Sequence, residues 1–386
     1  MPEARSALSP AELIRYGRHI LIDEFGVAGQ ERLAGARVLV VGAGGLGSPA
    51  ALYLAAAGVG AIGIADFDQV EEHNLQRQLL HETATVGQSK VASAARRLRA
   101  TNPFIQVREH AAGVTEANAA DLFREYDVII DGTDRFSSRY LINDAAVRVR
   151  RPLVHGSVFR FEGQVTVFDP ARGGPCYRCL FPHPPAPGSV PGCGEAGVLG
   201  PVCGVIGSLQ AVEAIKLITG IGEPLCGRLL TYDGRLAHVE VLTLRRDPAC
   251  PLCGDSPVDS LEEADDVCAP LRGPAARDGV PIEISPAEAQ TLRQTRPEAV
   301  LVIDVREPFE LEICRLDGAT HVPMRCIPQE LQHLPRDKHL LILCHTGVRS
   351  RHVTEFLRAQ GMSDVSNISG GIDAWAEALD SGLPRY

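Results

Sequence analysis

The sequence contains no excess of positive charge and no long apolar run. Its 38 Lys and Arg residues against 48 Asp and Glu residues leave a formal net charge of -10, which argues against direct binding to nucleic acid or to an anionic membrane surface. No apolar run approaches the roughly 20 residues that a membrane span requires. The first residues, 1–5, also lack the apolar core of a signal peptide. We therefore expect a cytoplasmic protein that has neither nucleic acid nor membrane as a direct partner.

Cysteine is not scarce, but its pattern does not indicate disulfides. The 11 cysteines are an odd number spread over a long chain, a pattern typical of a reducing compartment. In such a compartment, cysteines serve more often as metal ligands or nucleophiles than as disulfide partners. With 386 residues, 45% of them apolar and 22% charged, the chain is long enough for two domains with a core each.

A glycine-rich turn near the N-terminus has the pattern of a phosphate-binding site. Residues 37–41 are a short apolar run rich in β-branched side chains, which predicts a buried parallel strand. Residues 42–47, Gly-Ala-Gly-Gly-Leu-Gly, follow at once and lead into an Ala-rich helix over residues 48–58. A second strand, residues 61–65, ends at Asp66, at the spacing of a carboxylate that binds a ribose hydroxyl. The turn indicates a nucleotide, but it does not say which one.

Charged residues beyond the turn favour ATP over a nicotinamide cofactor. Arg77 could hold a polyphosphate with two parallel hydrogen bonds, and Lys90 adds a second cation at the start of a predicted helix. Asp134 follows a buried strand, residues 127–131, at the sheet edge where ligands bind, and a carboxylate beside phosphates suits Mg²⁺. Each of these residues could also be a solvated surface charge. Together with the glycine turn, they favour ATP with Mg²⁺.

Two C-x-x-C pairs have the spacing of a structural zinc site. Cys176 and Cys179 form the first pair, and Cys250 and Cys253 form the second. Four thiolates in two such pairs make a closed tetrahedral site without an open position for water. The Zn²⁺ would therefore join two loops and take no part in catalysis. Two unrelated surface pairs, or a redox pair, are the weaker alternatives.

Strands and helices alternate up to about residue 157, which predicts a doubly wound, mostly parallel α/β sheet of Rossmann-like type. A Pro- and Gly-rich stretch, residues 182–192, predicts a mobile loop over the site. Residues 255–281 show no periodicity and predict a linker. The predicted domains are therefore residues 1–254 and a smaller α/β domain over residues 282–386.

The smaller domain carries a cysteine at a strand-to-helix turn. Cys344 follows the predicted strand 339–343, and four residues separate it from Arg349. This arrangement puts the thiol at a helix N-terminus with backbone N–H groups aimed at it, which stabilises a thiolate or a persulfide. Phosphatases place the arginine one residue later, where this chain has Ser350, so the tighter loop suits a single sulfur atom. Cys193, at the end of the predicted mobile loop, is a weaker candidate nucleophile, and a buried inert cysteine is the alternative for Cys344.

These motifs, in this order, resemble two known families. Residues of about 9–254 resemble the MoeB/ThiF sulfur-carrier adenylyltransferases, relatives of the ubiquitin-activating enzymes, in the segments RYGR (15–18), GAGGLG (42–47), DFD (66–68), NLQRQ (74–78), VGQSK (86–90), DGTD (131–134) and PCYRC (175–179). Residues of about 282–386 resemble a rhodanese domain, in the segments DVREP (304–308) and HVP (321–323), the Cys344 loop and the ending from Gly370 to Trp375. The chain is thus similar to the MoeB–rhodanese fusion proteins.

The resemblance implies a two-step reaction. In the first step, the C-terminal Gly-Gly carboxylate of a ubiquitin-like sulfur-carrier protein attacks the α-phosphate of ATP, which gives an acyl-adenylate and pyrophosphate. In the second step, Cys344 accepts a sulfane sulfur from a persulfide or thiosulfate donor, with a cysteine desulfurase as one candidate. The persulfide then attacks the activated carboxyl, and the product is a thiocarboxylate on the carrier. The pathway of the carrier stays open among molybdenum cofactor, thiamine and cysteine biosynthesis and tRNA thiolation.

The resemblance also implies roles for individual residues, carried over position by position. Arg18 would reach the nucleotide of the partner subunit in a homodimer, and Cys193 would take part in sulfur release by acyl transfer or by a disulfide. Arg349 belongs to the loop around the persulfide of Cys344. The residues implied to bind ATP and Mg²⁺ are Gly42, Gly44, Gly45, Gly47, Asp66, His73, Asn74, Arg77, Lys90, Asp134 and Arg135.

Two other interpretations are open from the sequence. An NAD-dependent oxidoreductase with an accessory sulfurtransferase would explain the glycine turn, but it leaves Arg77, Lys90 and Asp134 without a role. A carrier-binding scaffold with a vestigial ATP site would need no catalysis at all. Exchange of pyrophosphate into ATP, dependent on a carrier that ends in Gly-Gly, separates the three interpretations.

Overall fold

The computed structural model describes residues 7–184, 197–258, 280–379 and 382–386. These residues form two compact units, one over residues 7–258 and one over residues 280–386. Cys193 lies outside the described residues, and so does most of the predicted loop and of the predicted linker. The limits predicted for the two domains therefore stay predictions.

The first unit contains one sheet of eight strands: β1 Arg37–Val41, β2 Ala61–Ala65, β3 Gln106–His110, β4 Val128–Asp131, β5 Leu153–Phe159, β6 Glu162–Phe168, β7 Arg228–Asp233 and β8 His238–Thr243. The strand order is β3-β2-β1-β4-β5-β6-β7-β8. Strands β1 to β5 pair in parallel, and β6 to β8 extend the sheet in antiparallel fashion. The predicted doubly wound, mostly parallel sheet is confirmed.

Helices cover the sheet of the first unit: α1 Pro10–Arg15, α2 Gly17–Ile20, α3 Gly26–Gly35, α4 Gly47–Ala57, α5 Lys90–Thr101, α6 Ala119–Arg124, α7 Phe136–Arg148, α8 Tyr177–Leu180 and α9 Gly200–Thr219. Helix α1 begins with a capping box, because the Ser9 hydroxyl accepts the N–H of Glu12 and the Glu12 carboxylate accepts the N–H of Ser9. The helical segment breaks at Tyr16, between α1 and α2. Tyr16 is buried, and its hydroxyl accepts a hydrogen bond from Asn102 at 2.8 Å, so the chain turns to bury this ring.

Helix α9 differs from the expectation that no apolar segment is long enough to cross a membrane. Its 20 residues would permit a membrane span by length and hydropathy alone, so that expectation is wrong for this segment. In the structure, α9 packs along β4, β5 and β6 and against α4, and Val202, Ile206 and Ala214 join the main hydrophobic core. Because its apolar residues cover one face of the sheet, α9 is a core helix of this unit.

The order of the sheet places a crevice at the carboxyl ends of its central strands. The chain moves outward from β1 through β2 to β3, and then returns to pair β4 with the other side of β1. At such a reversal, the loops after β1 and β4 leave toward opposite faces of the sheet and open a crevice for a ligand. The two loops touch through backbone alone, since a Cβ on Gly132 would lie 2.9 Å from the nitrogen of Gly47.

The second unit is a smaller parallel sheet with helices around it. Its strands are β9 Glu283–Ile284, β10 Val300–Asp304, β11 Thr320–His321, β12 His339–Leu343 and β13 Val365–Ile368, in the order β11-β10-β12-β13-β9. Its helices are α10 Pro286–Thr295, α11 Glu310–Ile313, α12 Ile327–Glu330, α13 Val348–Ala359 and α14 Gly371–Leu379. The central strand, β12, is buried on both faces, and it runs directly into Cys344. The predicted smaller α/β domain is confirmed.

Candidate active site

The glycine turn after β1 is held in place by β2 and by a buried histidine. The N–H of Ala43 donates to the Asp66 carboxylate at 2.8 Å, and the carbonyl oxygen of Ala43 accepts from His81 Nε2 at 3.0 Å. Gly42 has a φ of +91°, and a Cβ on Gly47 would lie 1.8 Å from the oxygen of Gly42. A side chain at either position would therefore force the turn open.

A cavity of about 290 Å³ lies beside this turn, at the carboxyl ends of β1, β2 and β4. Gly47 does not line it, because this residue packs behind the turn, and Arg18 is exposed on α2 and does not line the cavity of its own chain. The structure thus brings together all but one of the residues that the resemblance implied for ATP and Mg²⁺: Gly42, Gly44, Gly45, Asp66, His73, Asn74, Arg77, Lys90, Asp134 and Arg135.

Positively charged groups stand on one wall of this cavity. The ammonium group of Lys90 lies 2.9 Å from the carboxylate of Asp68, and the Lys90 side chain is almost fully buried. Arg77 donates to the carbonyl oxygen of His73 at 3.0 Å, which leaves its other N–H groups for a ligand. Cations that line a cleft with low-dielectric walls attract an anionic ligand such as a polyphosphate.

Two buried amide oxygens make the cavity suited to a polar ligand. The side-chain oxygens of Asn74 and Gln78 are buried and have no hydrogen-bond partner in the described part of the chain. Buried polar atoms without a partner are uncommon in proteins, and a ligand is one way of satisfying them. Asp134 is exposed at the start of the segment after β4, and Arg135 lies over the Phe67 ring at 5.7 Å from its centroid. The cavity therefore combines cations, amides and a carboxylate, the groups that a metal-bound nucleotide requires.

Sequence reasoning missed two histidines that support this cavity. His81 holds the glycine turn across 38 residues of sequence, and nothing in the local pattern indicates that contact. His155 lies 2.8 Å from the carboxylate of Asp131, which is the first residue of the segment DGTD (131–134). The one local signal is that both are polar residues in apolar strands; the pairing itself depends on the register of β4 and β5, which places them opposite each other.

The four predicted zinc ligands form one cluster. Cys176 Sγ lies 3.9 Å from Cys179 Sγ and 3.6 Å from Cys250 Sγ, and Cys179 Sγ lies 3.4 Å from Cys253 Sγ. Four sulfur atoms at 2.3 Å from one Zn²⁺ in a tetrahedron are about 3.8 Å apart. The backbone N–H of Asp247 also points at Cys179 Sγ, as outer hydrogen bonds do around a metal. The residues present therefore fit a structural Zn²⁺.

Cys344 stands at the start of the loop between β12 and α13, and its sulfur is buried. It accepts hydrogen bonds from the backbone N–H of Gly347 and from the Ser350 hydroxyl, both at 3.1 Å. The segment that follows β13 closes the loop from behind, because the N–H of Ile372 donates to the carbonyl oxygen of Cys344 at 2.8 Å. A Cβ on Gly371 would lie 2.3 Å from the oxygen of His345. This contact explains why glycine stands at that position.

Ion pairs surround the Cys344 loop. Arg349 makes two hydrogen bonds to the carboxylate of Glu310, at 2.7 and 2.6 Å. Burial alone would raise the pKa of Glu310, but hydrogen bonds from Arg349 and from the N–H of Glu307 bring this pKa below its ordinary value. The ring of Tyr386 stacks on His345 with 4.1 Å between centroids. Arg349 therefore connects the loop to Glu310 through a partly buried ion pair.

Residues 16–252 match the ThiF family, and residues 285–378 match the rhodanese-like domain. The chain belongs to the ThiF family. It is similar over its whole length to the adenylyltransferase/sulfurtransferase MoeZ of Mycobacterium tuberculosis, with 47% identity and 98% of that protein covered. It is also similar to the adenylyltransferase and sulfurtransferase MOCS3 of Anopheles gambiae, with 42% identity over 98% of this chain and 90% of that protein.

Solved structures of the ThiF fold are similar to part of the chain. The crystal structure of Escherichia coli MccB with ATP covers 65% of this chain and 75% of that chain, with a TM-score of 0.54 and 26% identity. The structure of the microcin C7 biosynthetic enzyme MccB in complex with N-formylated MccA covers 62% of this chain and 75% of that chain, with a TM-score of 0.56. Together with the ThiF and rhodanese matches, the relatives establish that this chain is an enzyme of the adenylyltransferase and sulfurtransferase class. The predicted family, fold and reaction class are therefore confirmed.

Proposed function

We propose that this enzyme activates the C-terminal Gly-Gly carboxylate of a ubiquitin-like sulfur carrier with ATP and then converts it to a thiocarboxylate. The single observation that carries the first half is the cavity, which unites a glycine turn with Arg77, Lys90 and Asp134. A nicotinamide site would leave these three charges without a role. The Cys344 loop in the second unit carries the other half, since it presents a sulfur to hydrogen-bond donors.

In the adenylation step, the carboxylate of the carrier attacks the α-phosphate of ATP and pyrophosphate leaves. The nucleophile is already ionised, so the enzyme needs no general base. Arg77 and Lys90 offset the negative charge that develops on the phosphates, and this stabilises the transition state. Lys90 would turn from Asp68 toward the phosphates or contact both at once. Asp134, one of the carboxylates that line the cavity, would hold Mg²⁺, which would neutralise phosphate charge and orient the leaving group when bound.

In the sulfur step, the terminal sulfur of a Cys344 persulfide attacks the carboxyl carbon of the acyl-adenylate and AMP leaves. The carrier is then joined to Cys344 through an acyl disulfide. A second thiolate must attack the Cys344 sulfur atom, so that the S–S bond breaks and the thiocarboxylate is released with the electron pair. We propose Cys193 for this release step, either directly or after acyl transfer; two external thiols would then reduce the resulting disulfide to two cysteines and would themselves become a disulfide. Arg349, paired with Glu310, would hold the shape of the loop during these steps.

We further propose that the enzyme works as a homodimer in which Arg18 acts on the partner's nucleotide. Arg18 is exposed on α2, and large apolar side chains near it in sequence are exposed as well: Ile14 at 85%, Leu21 at 73% and Ile22 at 50%. Exposed apolar side chains concentrated in one segment are typical of a protein interface. A second copy of the chain would cover them and bring Arg18 to a cavity that lacks it in the single chain.

The sulfur chemistry also bears on compartment and donor. A free thiol at Cys344 and thiolates at a zinc cluster persist under reducing conditions, so we place the enzyme in the cytoplasm. Among sulfur donors, both thiosulfate and a persulfide-bearing protein such as a cysteine desulfurase are compatible with the loop. Identification of the carriers that co-purify with the enzyme by mass spectrometry would assign the pathway.

Loss of one zinc ligand tests the proposed metal. We expect Cys250→Ser to lose bound zinc and to lower the free energy of unfolding by about 3 kcal/mol, because two loops lose their common anchor. Elemental analysis measures the metal and thermal unfolding measures the stability. Cys226→Ser, at a free cysteine outside the cluster, is the matched control and should keep its zinc. Full zinc content in Cys250→Ser would contradict the proposed ligand set.

Exchange of radiolabelled pyrophosphate into ATP tests the proposed function. We expect exchange only when a carrier that ends in Gly-Gly is present, because adenylation is reversible and needs that carboxylate. The control is the same carrier with the two glycines removed, which should give no exchange. Reduction of NAD would favour the oxidoreductase, and tight binding of the carrier without exchange would favour the scaffold.

A further inference from the structure

A carboxylate and a histidine are buried next to the segment that carries Asp134. The carboxylate of Asp131 is fully shielded from solvent, and His155, 6% exposed, holds it with Nδ1 at 2.8 Å. The two residues lie opposite each other on β4 and β5. A buried carboxylate is costly unless it is paired and hydrogen-bonded, so this pair has a cost that a simple apolar packing would avoid.

The second oxygen of Asp131 points along the chain toward the cavity. It accepts the backbone N–H of Thr133 at 3.0 Å and the Thr133 hydroxyl at 2.7 Å. Thr133 lines the cavity, and the next residue is Asp134. The direction of the Asp134 backbone is therefore set by a carboxylate whose own orientation depends on His155.

The surroundings fix the pair from every side. Gln210 of α9 donates to the carbonyl oxygen of Asp131 at 2.7 Å, and the rings of Phe168 and Tyr177 lie 5.6 and 5.2 Å from the His155 ring. Burial alone would raise the pKa of Asp131, but hydrogen bonds from His155 and Thr133 and the charge of Arg139 bring this pKa below its ordinary value. Asp131 therefore stays ionised, and it is rigidly held.

We propose that the Asp131–His155 pair positions the Thr133–Asp134 segment for binding of Mg²⁺ with ATP. Asp131 and His155 do not line the cavity, so they are positioning residues that act through the backbone and hydroxyl of Thr133. Outer hydrogen bonds of this kind commonly contribute a factor of 10–100 to metal affinity. The proposal rests on the proposed function only in that Asp134 faces a metal-bound nucleotide.

Two substitutions at His155 separate the effect of its hydrogen bond to Asp131 from the effect of its ring packing. Phe at this site keeps an aromatic ring between Phe168 and Tyr177 but has no donor, whereas Asn keeps a donor near the place of Nδ1. We expect His155→Phe to weaken the Mg²⁺-dependent binding of ATP about tenfold, measured by calorimetry on the full chain. Affinity for ATP in EDTA should change less than twofold, and His155→Asn should recover most of the Mg²⁺ dependence.

The matched control is Glu213→Gln, which also removes a buried carboxylate of the first unit. Glu213 lies on α9 and accepts the N–H of Leu225, and it does not line the cavity. This variant should lose stability and keep its Mg²⁺ dependence. A folded His155→Phe enzyme with unchanged Mg²⁺ dependence would overturn the proposal.

Two further measurements keep the proposal and the proposed function distinguishable. If His155→Phe does not fold, Thr133→Val removes only the hydroxyl bond to Asp131, and we expect a threefold to tenfold weaker Mg²⁺-dependent binding; an unchanged value would equally overturn the proposal. Pyrophosphate exchange by the wild-type enzyme reports on the function itself. Absence of that exchange, with normal Mg²⁺-dependent ATP binding, would count against the function and leave the positioning role standing.

Discussion

The Asp134→Ala enzyme is expected to lose carrier-dependent pyrophosphate exchange by about a hundredfold to a thousandfold. Asp134 is the carboxylate that stands on the cavity at the carboxyl end of β4, and without it the metal would lose its protein ligand. Charge on the transferring phosphate would then be offset by the cationic side chains of the cavity, among them Arg77 and Lys90, without the metal. Loss of a preorganised charge of this kind typically lowers the rate by a factor of a hundred to a thousand or more.

The same variant should leave sulfur transfer from thiosulfate to cyanide unchanged. The Cys344 loop belongs to the second compact unit, and its contacts are made within that unit. Asp121→Ala is the matched control, because Asp121 is an exposed carboxylate of the first unit that does not line the cavity. It should keep both activities. If Asp134→Ala lost sulfur transfer as well, the two units would not act independently.

The Cys344→Ala enzyme is expected to keep adenylation and to form no thiocarboxylate. The thiol begins the loop between β12 and α13, where the N–H of Gly347 and the hydroxyl of Ser350 donate to its sulfur, and alanine removes the atom that carries the sulfane sulfur. We expect exchange of pyrophosphate within a factor of two of the wild type. Mass spectrometry of the intact carrier measures the thiocarboxylate as a gain of one sulfur for one oxygen.

Cys326→Ala is the control for this second prediction. Cys326 is also a free cysteine of the second unit, but the loop does not use it. Its substitution should leave the thiocarboxylate yield unchanged. Full yield from Cys344→Ala with a persulfide-bearing protein as donor would show that sulfur reaches the carrier without this thiol.

The parts of the site that could be predicted from sequence are those in which a backbone shape demands particular residues. The glycine turn is one such part, because Gly42 and Gly47 have no room for a Cβ. The Cys344 loop is another, since the strand, the cysteine and the helix are consecutive in sequence. In both cases the residues that determine the backbone shape are consecutive in sequence, so the sequence alone is enough to predict it.

The parts that could not be predicted depend on contacts between distant segments. His81 reaches Ala43 only after the chain has folded, and Asp131 meets His155 through the register of two strands that are joined by α7. The role proposed for Arg18 depends on a second copy of the chain, so the contact that it would make is not local to the sequence.

Because the sulfur of Cys344 is buried, its position restricts which acceptors can reach a persulfide on this residue. A persulfide carried below the surface is less accessible to peroxide, which attacks exposed sulfur first. A bulky acceptor would be excluded by the same walls. A tail that ends in two glycines has no side chains to obstruct its entry. Steric exclusion of bulkier chain ends would therefore make sulfur transfer selective for the carrier.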